Sequence, residues 1–221
     1  MMNKNTENTF AEWLAEELEH IDLCFVYSTR ARIAVRIDNG QYTIIWDECY
    51  WKYYRKYLMA VGTARKNKMT VTQAVIAVMA EHLSERFSTF KDLSEFLGKI
   101  VWQFGIAPDL TSEETDKTET RIFIAKIFSI FHEIAHIRIA QEDTAALRTK
   151  DIIFHMFSHV QKEHFASLGE WADLHFYMVQ EILAGKYKEI LEELMADVYA
   201  TGKIAVYLKE IYGYVDFTLI C

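Results

Sequence analysis

Apolar residues recur along this chain with two different periods. Over 7–20, Phe10, Trp13, Leu14 and Leu18 stand at helical spacing, which predicts an amphipathic first helix. The period then shortens to alternation. Asp22–Tyr27, Ala31–Ile37 and Tyr42–Trp46 read as strands, and the Asn39-Gly40 dipeptide between the last two is a strong hairpin signal. A two-residue loop there pairs Ile37 with Tyr42, Val35 with Ile44 and Ile33 with Trp46, all on one face. The pattern therefore predicts a small, mainly antiparallel sheet near the N-terminus.

Beyond residue 47 the pattern is helical. Glu48–Val61, Thr72–Phe87 and Phe90–Phe104 each read as helices. Residues 105–119 form the clearest break, polar and acidic, and end in Ser, Thr and Glu residues suited to capping the helix that follows, over about 119–141. Helices are then expected at 143–166, 168–184 and 187–212, the last two separated around Gly185, with an apolar strand or packed tail at Val215–Cys221. The expected fold class is α+β, mostly helical. A single domain over 1–221 is expected, compatible with a sheet-and-helix part at 1–104 and a second helical part at 119–212.

Composition agrees. Among 221 residues, 51% are hydrophobic and 25% charged, with one proline and eight glycines, so helix breakers are scarce. A net charge of −8 argues against non-specific binding to nucleic acid or an anionic membrane surface. The basic runs Arg30–Arg32 and Lys52–Lys56 are short and mixed with apolar residues. Three cysteines, Cys24, Cys49 and Cys221, lie far apart with no C-x-x-C pair, which points to a reducing compartment. Met1–Thr9 is polar, so no secretory signal is expected. The most apolar stretch, Ile122–Ala140, holds Lys126, His132, Glu133, His136 and Arg138, too many polar groups for a membrane span. A cytoplasmic protein is expected.

Within that stretch stands His132-Glu133-Ile134-Ala135-His136. Residues four apart share one helix face, so the two imidazoles can hold one metal ion while Glu133 serves as a carboxylate base. Such a zinc site needs a third protein ligand and a fourth position left for water. The extended motif, with a glycine and a third histidine downstream, is absent, because those positions hold Ile139 and Glu142. The helix should therefore run on. The better third ligand is Glu193, in Glu193-Leu194-Met195-Ala196-Asp197, with Asp197 one turn on, able to accept the far N–H of a ligating histidine. Ala196 and Ala200 would let two helices approach. Glu170, Asp173 and His175 are the alternatives for the third ligand.

HEIAH followed by ELMADVYA resembles the gluzincin peptidases, which pair H-E-x-x-H with a downstream E-x-x-A-D-x-x-A on a second helix. ImmA/IrrE-like regulatory peptidases and Lit-type phage-exclusion peptidases share the likeness. It covers two short helical segments together with the helix-rich layout and small sheet. The resemblance implies a zincin-like fold with the HExxH helix packed near the ExxxD helix, and a cytoplasmic endopeptidase acting on a protein or peptide substrate. It further implies Zn²⁺ held by His132, His136 and Glu193, Glu133 as general base and Asp197 orienting a histidine. Substrate would then lie as an added strand along a sheet edge, at 33–46 or 22–27.

Other features are assigned more plainly. His155 and His159 form a second pair at the same spacing, but Met156 stands where a base would be. They are read as surface residues, with oxyanion stabilisation near the metal as the functional alternative; His164 and His175 are read in the same way. Tyr50, Trp51, Tyr53, Tyr54 and Tyr57 are read as packing. Two readings compete with the peptidase: a non-catalytic zincin-fold binding domain whose metal is structural, and a helical interaction protein in which HEIAH is accidental.

Overall fold

The computed structural model describes residues 12, 14–28, 33–66, 76, 78–79 and 111–212. These residues are mostly helical, with a small mixed sheet of three strands near the N-terminus. The strands are β1 (Ile21–Val26), β2 (Ala34–Asp38) and β3 (Gln41–Asp47). The helices are α1 (Glu48–Lys66), α2 (Ser112–Ala140), α3 (Thr144–Ser158), α4 (Ala172–Leu183) and α5 (Lys188–Tyr212), with 3₁₀ turns over Lys162–Trp171. Of the expected first helix, residues 12 and 14–17 are described and helical. The helices expected at 72–87 and 90–104, apart from helical residues 76, 78 and 79, and the tail at 215–221 lie outside the described residues. Two compact units divide the chain, Met1–Lys126 with Phe217–Cys221, and Ile127–Asp216.

In the first unit the hairpin forms as its turn chemistry requires. Asn39 and Gly40 both adopt positive φ, 50° and 81°, as a type I′ turn demands. Ile37 pairs with Tyr42 and Val35 with Ile44, as expected. The third expected pair is not made: the ladder starts at Ala34–Ile45, and Trp46 lies beside Phe25 of β1 instead. The sheet is also not mainly antiparallel. Its order is β1-β3-β2, and β1 runs parallel to β3. The segment between β1 and β2 is long enough to cross the width of one strand, so β3 can insert between them. That central position buries Ile44 and Trp46, which are 0% and 4% exposed.

Asp47 joins sheet to helix. It is buried, accepts the Cys49 N–H at 2.9 Å as the cap of α1, and accepts bonds from the backbone N–H and hydroxyl of Ser28. The aromatic residues of α1 pack on the sheet and on one another: Trp51 stacks on Trp46 of β3 with centroids 5.0 Å apart, and Tyr50 on Tyr54 at 6.1 Å.

Helix α2 begins seven residues before the expected start, so residues 112–119 are helix and not part of the break. Its first turn is closed by a capping box, with Thr111 N–H donating to Glu114 Oε2 at 2.8 Å and Glu114 N–H donating to Thr111 Oγ1 at 3.2 Å. Thr115, Thr118 and Thr120 donate their hydroxyls to carbonyls four residues back, so this threonine-rich turn satisfies its polar groups without leaving the helix. At the other end Glu142 takes the left-handed conformation (φ 57°), while the Glu142 and Asp143 N–H groups bond to the Ile139 and Arg138 carbonyls. This is the helix-ending turn usually given to glycine.

In the second unit, the expected helix at 143–166 is interrupted. It ends at Ser158 and gives way to the 3₁₀ turns. Helix α3 packs on α5, and α4 packs on the 3₁₀ turns. Ile153, Ile182, Leu191 and Met195 form a core, with Ile139, Phe154, Phe157, Leu194 and Val198 packed against it. Each such apolar side chain, when fully buried, contributes about 1.5–3 kcal/mol. Gly185 (φ 78°) ends α4, with its own N–H on the Ile182 carbonyl and that of Lys186 on the Glu181 carbonyl. Among the described residues no helix is long and apolar enough to cross a membrane.

Candidate metal centre

The C-terminal half of α2 is buried along one side. Phe131, Ile134, Ala135 and Ile137 are all 0% exposed, which fixes the helix against rotation and leaves His132 and His136 on its flank. Their side chains are 17% and 26% exposed. Helix α5 has a matching buried stripe, Met195, Ala196, Tyr199 and Ala200. Its adjoining flank carries Glu193 and Asp197, which are one turn apart.

These two flanks meet. His132 Nε2 and His136 Nε2 lie 3.1 Å apart, and the Glu193 carboxylate straddles them, with Oε2 3.2 Å from His132 Nε2 and Oε1 3.5 Å from His136 Nε2. His132 Nδ1 lies 2.9 Å from Asp197 Oδ1. Since His132 meets Asp197 and His136 meets Glu193, α2 and α5 run in opposite directions here. The imidazole rings are 4.8 Å apart at 76°.

The donor inventory explains what such a cluster holds. A carboxylate accepts hydrogen bonds, so Asp197 draws the His132 proton to Nδ1 and leaves a lone pair on Nε2. Burial lowers the pKa of His136, and neighbouring His132 lowers it further. Glu193, Glu192 and Asp197 oppose that shift. A neutral His136 also offers a lone pair. Two imidazole nitrogens and a carboxylate thus converge as acceptors, a set that a cation satisfies. The spacing fits as well. Ligands held tetrahedrally at about 2.0–2.1 Å from one ion lie about 3.3 Å apart. The two Nε2 atoms, 3.1 Å apart, are close to that value, and Glu193 reaches each imidazole through a different carboxylate oxygen, at 3.2 and 3.5 Å. His132, His136 and Glu193 form a group that could hold a metal ion.

The carboxylates face outward: the Glu193 and Asp197 side chains are 63% and 51% exposed, against much lower values for the histidines. The cluster is therefore open on its α5 side. Glu133 is partly buried on α2, next to His132.

The remaining candidates lie outside this group. His155, in the last turn of α3, and His159, its C-cap, are exposed and face one another. His164 is used locally, its Nδ1 accepting the Gln161 N–H at 2.8 Å. His175 donates Nδ1–H to the Trp171 carbonyl at 2.8 Å, and Asp173 is paired with Lys162. Neither they nor Glu170 belong to the group that could hold a metal ion. Glu192, whose charge reaches His136, is absent from the residues the sequence singles out. Its position beside Glu193 was the available signal. Comparison with protein-family models, curated proteins and solved structures returns no match.

Proposed function

We propose that the protein is a zinc-dependent endopeptidase of zincin-like fold, acting on a cytoplasmic protein or peptide substrate. The observation that carries this reading is the His132–His136–Glu193 triangle backed by Asp197, on the helix that also bears Glu133. Two imidazoles and one carboxylate are a ligand set that suits zinc. A site with three protein ligands and an exposed side leaves a position for water, whereas a structural zinc site is closed by four.

A zinc ion held by His132, His136 and Glu193 would supply Lewis acidity toward the scissile carbonyl and lower the pKa of its water to about 7. The residues do the rest. Asp197 holds the His132 ring in the tautomer and orientation that keep Nε2 available. Glu133 accepts the proton of the attacking water and passes it to the leaving amine as the C–N bond breaks. The buried residues behind His132 and His136 keep the ligating face in register.

The test is a pair of measurements on Glu133→Gln. The variant should bind zinc as the wild type does and cleave a peptide library at a rate lower by about 10²–10⁴-fold. Equal cleavage by the two proteins would overturn the assignment of Glu133.

A further inference from the structure

We propose that His155 and His159 form a second metal site, open to solvent, for a divalent transition ion that favours imidazole, such as Cu²⁺, Ni²⁺ or Zn²⁺. The two residues stand one turn apart at the end of α3. Their rings are 4.8 Å apart at 84°, nearly the arrangement of the His132–His136 pair, at 4.8 Å and 76°. Both are exposed, and neither ring makes a hydrogen bond among the described residues. In that they differ from His164 and His175, whose rings are tied to backbone groups. The ring nitrogens of His155 and His159 are therefore free to turn toward a shared ion.

The site also has a favourable field. His159 caps the C-terminus of α3, its N–H reaching the Met156 and Phe157 carbonyls, and His155 lies in the last turn. The carbonyl end of a helix carries partial negative charge and favours a cation there. Exposed Asp151, one turn before His155, adds a full negative charge on the same side of the helix. Two neutral nitrogen donors select borderline transition ions over Ca²⁺ and Mg²⁺, which demand oxygen ligands. With two protein ligands and water completing the shell, this site is the weaker of the two. It does not rest on the peptidase reading.

The experiment is a Cu²⁺ titration of the full chain followed by electron paramagnetic resonance, on wild type, His155→Gln/His159→Gln and His132→Gln/His136→Gln. The wild type should take up a tight and a weak equivalent. His155→Gln/His159→Gln should lose the weak one alone, and both changes are at exposed positions, so circular dichroism should be unchanged. His132→Gln/His136→Gln should lose the tight one alone. If that variant does not fold, the His155→Gln/His159→Gln result decides by itself. Persistence of the weak equivalent in His155→Gln/His159→Gln, or a wild type with the tight equivalent only, would overturn the second site. A wild type with the weak equivalent only would support it and count against the metal centre at His132.

Discussion

Two histidine pairs in this protein share a spacing and almost a ring geometry, yet differ in everything around them. His132 and His136 lie within the C-terminal third of α2 on a half-buried flank, with Glu193 and Asp197 brought to them by a helix some sixty residues later in the chain. His155 and His159 lie at a helix end, exposed, with no carboxylate from another helix in their group. The spacing of a pair is a local property of any helix. A three-ligand site needs a second element to deliver the third ligand, and a further carboxylate to fix the tautomer of one imidazole. The two carboxylates on the flank of α5, Glu193 and Asp197, separate the two pairs more than the H-E-x-x-H motif does.

The largest effect should come from making the first pair resemble the second. Glu193→Ala leaves a two-histidine site at His132 and His136, and tight zinc binding and peptide cleavage should both be lost in equilibrium dialysis and activity assays. A bound ion at a hundred times its dissociation constant contributes about 2.7 kcal/mol. The same substitution should therefore abolish the rise in melting temperature that zinc gives the wild type. His155→Gln/His159→Gln should leave that rise intact.

A smaller effect is expected from Asp197→Asn. The amide can still contact His132 but no longer enforces Nδ1–H, and zinc affinity measured by competition with a chelating dye should fall about 10–100-fold. An unchanged affinity would mean that the carboxylate behind His132 is not what distinguishes the pairs.

The smallest effects concern the helices that carry the comparison. Thr111→Ala removes the cap of α2, and chemical denaturation should show a loss of about 1 kcal/mol. Glu142→Gly relieves a left-handed residue at the other end of α2 and should stabilise by about 0.5–1 kcal/mol, read in the same assay. A destabilised Glu142→Gly protein would show that the Glu142 side chain contributes more than its backbone strain costs.

Much of this was legible in sequence because it is local. Asn39-Gly40 dictates its turn, and that turn dictates the register of Ile37 and Val35. The pairing of His132 with His136, and of Glu193 with Asp197, follows from helical spacing alone. What escaped was set by partners distant along the chain or by polar groups satisfied in unexpected ways. The parallel placement of β1 depends on a connection crossing the position of β3, which no alternation pattern encodes. Residues 112–119 resemble a break because Thr and Asp favour caps and turns. They are helical because Thr111 and Glu114 cap one another and the threonine hydroxyls bond back to the helix. The exposure that separates His155 and His159 from His132 and His136 depends on packing, and packing is not written in spacing.

The central claim is that Glu193 turns a histidine pair into a three-ligand zinc site, and zinc stoichiometry after exhaustive dialysis tests it most directly. By elemental analysis, wild type and Glu133→Gln should each retain one zinc per chain, and Glu193→Ala should retain none. A wild type that emerges free of zinc, or a Glu193→Ala protein that keeps its full equivalent, would contradict the account.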